Sequence, residues 1–129
     1  MIHGVGTDLL KLHRLRPEIL AETDPFLLRS FTEGERREAK EQDDRQSYLA
    51  GRFAGKEAVF KALRRSGKGI DLSEIEILYD DNGAPAVTLR GPLQEWAAAA
   101  GVTSVHLSLS HEEGEVLAFA VAERENNGI

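Results

Sequence analysis

The longest helical pattern in this sequence reads Tyr48-Leu-Ala-Gly-Arg-Phe-Ala-Gly-Lys-Glu-Ala-Val-Phe-Lys61. Bulky apolar residues in this stretch and just after it recur on one face of a helix: Leu49, Phe53, Phe60 and Leu63. The acidic pair Asp43-Asp44 favours a helix start, and Gly67 favours a helix end. We therefore predict one long helix that begins just after the acidic pair and runs to about Arg65.

Strand patterns lie on both sides of this helix. Residues 1–8 are typical of a short buried strand, in which Gly4 and Gly6 suit close packing against a neighbour. After the helix the apolar period changes to two, which predicts four strands, near residues 75–77, 85–89, 105–109 and 116–122. Asp81-Asn82-Gly83 predicts a tight hairpin turn between the first two of them.

Shorter helices are predicted elsewhere. Apolar residues recur at helix-like intervals from Leu9 to Ile19, with Pro17 interrupting, so we expect a helix that begins near Leu9. Thr32 is followed three residues later by Glu35, which predicts a capping box for a helix running to about residue 40. Residues 92–100 are alanine-rich and predict a further short helix.

The order of these elements predicts an α+β fold. The tight turns favour hairpins, so we expect a mostly antiparallel sheet packed against the long helix. A chain of 129 residues with 41% hydrophobic and 29% charged residues fits a single domain over residues 1–129. The tail at about 123–129 is expected to be frayed.

The composition also indicates the cellular compartment of the protein. The chain has no cysteine, so disulfides and thiolate metal sites are excluded, and a reducing compartment suits it. No apolar run approaches membrane-spanning length, and the N-terminus has no secretory pattern, so a cytoplasmic protein is expected.

Charge is divided unevenly along the chain. Residues 1–68 hold 14 bases and 11 acids, a net +3, whereas residues 69–129 hold 2 bases and 11 acids, a net −9. A total of −6 disfavours binding of duplex nucleic acid. The basic half suits a smaller polyanion or an acidic protein partner. Alternatively, the basic and acidic residues only make two faces of the protein hydrophilic and bind no partner.

Asp8 and Glu57 are acids at positions where an apolar residue would be easier to accommodate. Two carboxylates brought together repel each other unless a cation or a proton lies between them. Mg²⁺ takes one or two carboxylates and then binds substrate phosphates, so the pair is a candidate magnesium site. The alternatives are local: Asp8 could cap a helix beginning near Leu9, and Glu57 could pair with Lys61 one turn later.

Basic residues line the same predicted helix. Arg45, Arg52 and Lys56 share one face, and Lys61 lies one turn beyond Glu57. A pyrophosphate could be held by such Arg and Lys side chains, although a charge stripe is also typical of a solvated face.

His111 ends the strand segment Ser108-Leu-Ser-His111. It could be a general base, a phosphate ligand or a hydrogen-bonded structural residue. A serine hydrolase is disfavoured, since the chain has no G-x-S-x-G pattern, and its histidines lack zinc-motif spacing.

The ordered set of motifs resembles a known family. It comprises Gly4-Val-Gly-Thr-Asp8, Arg14, Phe31-Thr-x-x-Glu35, Arg52-Phe-Ala-Gly-Lys-Glu-Ala-Val-Phe-Lys61, Gly67-x-Gly-Ile70, Asn82-Gly-x-Pro85 and Ser108-Leu-Ser-His111. This set resembles holo-acyl-carrier-protein synthase, the small bacterial class of 4′-phosphopantetheinyl transferases. The resemblance spans residues 2 to 122, and it implies the α+β fold of the 4′-phosphopantetheinyl transferases.

The resemblance implies Mg²⁺-dependent transfer of phosphopantetheine from coenzyme A to a serine of apo-acyl carrier protein, with release of adenosine 3′,5′-bisphosphate. It implies that Asp8 and Glu57 hold Mg²⁺ and that Lys61 lies near the phosphoryl centre. It also places four residues around the phosphates and nucleotide of the coenzyme: Arg45, Arg52, Lys56 and His111. Glu57 or a metal-bound water is the candidate base for the serine proton.

The resemblance further implies a homotrimer with sites at subunit interfaces. Arg14, with Lys11 and Arg16, would meet the acidic helix of the carrier protein. Two other functions are compatible with the same residues. One is a trimeric module that binds coenzyme A or carrier without transfer, and the other is a Mg²⁺-dependent pyrophosphohydrolase.

Overall fold

The computed structural model describes residues 1–67 and 69–125. It has five strands and four α-helices: β1 (Ile2–Lys11), α1 (Pro25–Ser30), α2 (Glu33–Lys40), α3 (Arg45–Leu63), β2 (Ile75–Tyr79), β3 (Pro85–Leu89), α4 (Gly91–Ala99), β4 (Val102–Glu112) and β5 (Glu115–Arg124). The strands form a three-stranded antiparallel sheet of order β1-β5-β4 and a separate β2-β3 hairpin. The predicted α+β class, with antiparallel strands against a long helix, is confirmed.

Local signals fix the helix starts. The Asp44 side chain accepts a hydrogen bond from the Ser47 backbone at 3.0 Å and begins α3. Thr32 and Glu35 form the predicted capping box of α2. The last helical residue of α3 is Leu63, and Arg64 follows in a left-handed conformation with φ 59°.

The helix α3 lies directly on the three-stranded sheet. The inner face of β5 presents small buried residues, Ala118, Ala120 and Ala122, which let the helix approach. Gly4 and Gly6 of β1 approach α3 most closely, since a β-carbon on Gly6 would overlap the Ala58 carbonyl oxygen. The sequence-based expectation of close packing at these two glycines is confirmed.

Gly6→Ala is expected to destabilise the fold by about 3 kcal/mol, because the added carbon forces β1 and α3 apart. Chemical denaturation measures the loss. Gly69→Ala is the matched control, since a β-carbon there meets nothing within 4 Å. Equal stability of the two variants would contradict the close approach.

The predicted helix beginning near Leu9 is wrong. β1 continues to Lys11, because its residues pair with β5 as far as Lys11 opposite Glu115. Two short 3₁₀ turns follow, Leu12–Arg14 and Pro17–Leu20. The pairing also rules out the alternative role of Asp8 as a helix cap, since Asp8 lies within β1 opposite Ala118.

The predicted tail begins too early. β5 extends to Arg124, and the Glu125 backbone nitrogen donates to the Gly101 carbonyl at 3.2 Å. Residues 126–129 of that predicted tail lie outside the described residues.

No helix formed by residues 1–67 or 69–125 covers the outer face of the three-stranded sheet. Its apolar side chains are exposed: Ile2 (65%), Val5 (55%), Leu9 (62%), Leu117 (45%) and Phe119 (44%). Strand register brings several of them side by side, with Leu9 opposite Leu117 and Val5 opposite Val121. A contiguous apolar surface of this kind marks an interaction site. Within the described ranges, no helix is both long and apolar enough to cross a membrane.

Candidate active site

Asp8 and Glu57 meet where β1 packs against α3. Asp8 follows Gly6 on the inner face of β1, and both carboxylates are half-buried. Burial raises the pKa of Glu57, and the nearby Asp8 charge raises it further, while Lys61 opposes the shift. The Lys61 ammonium lies 3.5 Å from Asp8 Oδ1 and donates to the Thr7 carbonyl at 2.9 Å. The structure thus brings together the three residues predicted as catalytic.

The donor set fits a hard divalent cation. Among the residues that the structure describes, no group of three or more His, Asp and Glu could hold a metal ion. Two converging carboxylates suit Mg²⁺, which keeps several waters and takes further oxygen ligands from phosphates. Burial is the main cause of the raised pKa of Glu57, and the Asp8 charge adds to it; a bound cation would relieve this repulsion between the two carboxylates.

The raised pKa of Glu57 predicts pH-dependent cation binding. As the pH falls from neutral, Glu57 gains its proton earlier than an ordinary glutamate does, and cation affinity falls with it. Calorimetric Mg²⁺ titrations with coenzyme A present, at a series of pH values, measure the effect. Affinity that stays constant until the pH reaches the ordinary range of a glutamate, about 4.3, would contradict the assignment.

Arg52 is enclosed between two aromatic rings. Its guanidinium carbon lies 4.2 Å from the Tyr48 ring centroid and 4.5 Å from that of Tyr79. Its Nη2 lies 3.1 Å from Glu38 Oε1, and the side chain is 2% exposed. The predicted phosphate contact of Arg52 disagrees with this position, because its charge is already paired and covered.

Lys56 is also buried, and its predicted phosphate contact disagrees with the structure in the same way. The ammonium lies 2.8 Å from Glu35 Oε1, and neither side chain has exposed surface. Desolvation lowers the pKa of Lys56 and raises that of Glu35, and each partner's charge opposes the shift. The sequence contains a signal for these two pairings. Glu35 and Glu38 lie about one turn apart on α2, and their partners Lys56 and Arg52 lie about one turn apart on α3, so both pairs can form between the two helices.

Arg45 is exposed at the first residue of α3. It lines a cleft of about 400 Å³ whose other basic residues the sequence analysis did not single out: Arg36, Arg37 and Lys40. All three already have partners: Arg36 donates to the Phe31 carbonyl at 2.5 Å, Arg37 bonds Glu33 at 2.8 Å and Lys40 bonds Glu22 at 2.8 Å.

His111 lies on the other side of α3 from the carboxylate pair. It is exposed at the end of β4, and its Nε2 would be 3.0 Å from a β-carbon on Gly51. Asp8 lies on β1, and β5 separates β1 from β4, so the backbones of Asp8 and His111 are at least about 10 Å apart. A single chain therefore does not bring His111 together with Asp8 and Glu57.

Two of the three predicted docking residues, Arg14 and Arg16, line a second cleft of about 440 Å³, to which Glu18 and Asp24 also contribute. Its apolar lining includes Leu10, Phe26 and Phe53, and its basic residues are Arg14, Arg16 and Arg29. Leu10 follows Asp8 by two strand residues, and Phe53 precedes Glu57 by one helical turn, so this cleft adjoins the carboxylate pair. Lys11 is exposed at the end of β1. Arg29 also lines this cleft, with its guanidinium 5.9 Å from the Phe26 ring centroid, although no sequence motif indicated it.

The chain belongs to the 4′-phosphopantetheinyl transferase superfamily, whose profile matches residues 4–120. Over 125 residues it is 39% identical to the holo-[acyl-carrier-protein] synthase of Alkalilimnicola ehrlichii, covering 95% of this chain and 98% of that protein. The predicted resemblance and the predicted enzyme class are confirmed.

Solved structures agree with this assignment. The crystal structure of the holo-[acyl-carrier-protein] synthase from Neisseria meningitidis is similar to this one with a TM-score of 0.84 and 38% identity, over 96% of this chain and 100% of that chain. The enzyme from Bacillus anthracis, solved in complex with CoA (3′,5′-ADP), gives a TM-score of 0.74 and 34% identity, over 97% and 99% of the two chains.

Proposed function

We propose that this chain transfers 4′-phosphopantetheine from coenzyme A to a serine of apo-acyl carrier protein in a Mg²⁺-dependent reaction. The products are holo-acyl carrier protein and adenosine 3′,5′-bisphosphate. The observation that carries the proposal is the Asp8–Glu57 carboxylate pair, with Lys61 beside it, in a chain of this superfamily. The bound coenzyme in the Bacillus anthracis relative supports coenzyme A as the donor.

Asp8 and Glu57 would hold the cation, which when bound supplies charge neutralisation on the pyrophosphate that is split. Lys61 stands 3.5 Å from Asp8 and is exposed, so its ammonium can reach a phosphate oxygen beside the pair. Glu57 also accepts the serine proton in this proposal.

The cleft beside the carboxylates is the proposed docking site of the carrier protein. Three arginines surround an apolar lining there, which complements an acidic helix that carries apolar side chains. Arg14, Arg16 and Lys11 are exposed and available, although Arg16 also pairs with Glu18 at 2.9 Å. Arg29 joins them as a residue of the docking site.

The active form is proposed to be a homotrimer. The outer face of the three-stranded sheet presents the exposed apolar side chains that an interface would cover, Phe119 among them. Within one chain β5 separates the strand of His111 from that of Asp8, and in this proposal a neighbouring subunit brings His111 to the coenzyme held at Asp8. Arg45 would belong to the His111 side of such a shared site.

Carrier proteins of fatty-acid biosynthesis are the proposed acceptors, and the cytoplasmic location expected from the sequence remains part of the proposal. Release of adenosine 3′,5′-bisphosphate, followed by liquid chromatography, tests the reaction. Release should require both Mg²⁺ and apo-carrier, and a carrier with its acceptor serine replaced by alanine is the control. Release without carrier would indicate a pyrophosphohydrolase instead, and no release with any carrier would indicate a binding module.

A further inference from the structure

Glu35 and Lys56 form an ion pair with no exposed surface, and its hydrogen bonds are complete. The Lys56 ammonium donates to three oxygens, those of Glu35 at 2.8 Å, the Leu72 carbonyl at 2.8 Å and the Ile75 carbonyl. The Glu35 carboxylate also accepts from the backbone nitrogens of Thr32 at 2.9 Å and Ile77 at 2.7 Å. The Glu35–Lys56 pair thus joins α2, α3 and β2 at one point.

This connection is not supplied by the sheets. β2 and β3 form a hairpin of their own, apart from the three-stranded sheet on which α3 lies. On that sheet, α3 packs mainly over Gly4 and Gly6 of β1 and the alanines of β5, with Leu107 and Leu109 of β4 beside Gly55. Small residues resist rotation of a helix about its axis poorly. The directional contacts that fix how α3 is rotated against α2 are therefore its two buried ion pairs, Arg52–Glu38 and Glu35–Lys56, and the second also binds β2 through the Ile77 backbone nitrogen.

The rotation of α3 determines where Glu57 points. Glu57 directly follows Lys56, and successive helical residues are about 100° apart, so Lys56 faces α2 and β2 while Glu57 faces β1. We infer that Glu35 and Lys56 are positioning residues, which hold α3 at the rotation that brings the Glu57 carboxylate to Asp8. The inference rests on the proposed role of Asp8 and Glu57 in holding Mg²⁺. Metal ligands need placement to within about 0.5 Å, and a small rotation of α3 exceeds that.

The double variant Glu35→Leu/Lys56→Met tests this inference. Replacing a buried ion pair by apolar residues of similar volume is often neutral for stability, so the variant should fold. We expect its Mg²⁺ affinity, measured by calorimetry with coenzyme A present, to fall about 10- to 100-fold, as when a supporting residue of a metal ligand is lost. The KM for carrier protein should stay unchanged, because the docking cleft does not include the pair.

Val87→Ala, in β3, is the control for a general loss of packing and should leave Mg²⁺ affinity unchanged. Should the double variant not fold, Glu35→Gln keeps the shape of the side chain and should give a smaller loss of Mg²⁺ affinity. Wild-type Mg²⁺ affinity in a folded Glu35 variant would overturn the inference and leave the proposed function standing. No Mg²⁺ binding by the unaltered chain would overturn both.

Discussion

Glu57→Gln is expected to lower turnover by about 10²- to 10⁴-fold while the chain stays folded. The substitution keeps the shape of the side chain but removes a negative ligand and the proposed base. It also removes the repulsion from Asp8, which raises the pKa of Glu57. A raised carboxylate pKa means that ionisation costs stability above that pKa, so the glutamine variant should be slightly more stable at neutral pH without metal. Solvent screening at this half-exposed site limits the gain to roughly 0.5 kcal/mol.

Two measurements check this first prediction. Carrier modification under saturating Mg²⁺ gives turnover, and thermal unfolding with a chelator gives stability. The matched control is Glu95→Gln, on the exposed face of α4, which should change neither. Near-normal turnover of Glu57→Gln would contradict the role of Glu57, and a large loss of stability would contradict the account of its raised pKa.

If the proposed trimer forms through the outer face of the sheet, Phe119→Asp is expected to dissociate it and to lower transfer by roughly 100-fold, since the reacting groups would no longer be held together. Phe119 lies on the exposed apolar face of the sheet, opposite Thr7 of β1. A charge there opposes burial in an interface but costs the monomer little. Analytical ultracentrifugation measures the assembly, with Leu28→Asp on exposed α1 as the control that should stay trimeric. A Phe119→Asp variant that remains trimeric, or a fully active monomer, would contradict the interface.

Mixed trimers test the shared site independently of the interface substitution. Asp8→Asn alters the residue that one subunit would contribute to the site, and His111→Ala removes the residue that the neighbouring subunit would contribute. If the two residues serve one site from different subunits, refolding a mixture of the two variants should restore part of the transfer activity. Activity no higher in the mixture than in either variant alone would place the complete site within one chain.

Local sequence signals predicted where α2 and α3 begin, but they did not predict which distant segments pair as strands. Asp44 and the Thr32–Glu35 capping box begin helices by hydrogen bonds within one turn, so their positions can be derived from the sequence. Leu9 and Leu10 fit a helix or a strand equally, and only the pairing of β1 with β5 decides between them. The predicted helix there was wrong for that reason.

In the candidate site, too, some features could be predicted from the sequence and others depend on contacts between distant segments. The pairing of Asp8 with Glu57 was predicted because both acids occupy positions next to apolar neighbours, and the family resemblance supplied their common role. The stripe of Arg52 and Lys56 was assigned to phosphate because helical spacing shows which residues share a face but not what covers that face. The covering groups, Glu38 and Glu35, belong to another helix. The separation of His111 from Asp8 depends on the strand order of the sheet, which no local pattern encodes.

Intact-protein mass spectrometry of an apo-acyl carrier protein, incubated with this chain, coenzyme A and Mg²⁺, tests the central claim most directly. The account predicts a mass gain of one phosphopantetheine group on the carrier, abolished by a chelator and restored by added Mg²⁺. The same gain in the presence of the chelator would contradict the role of Asp8 and Glu57 as ligands of Mg²⁺. An unmodified carrier, across carriers of fatty-acid and polyketide synthesis, would contradict the transfer itself.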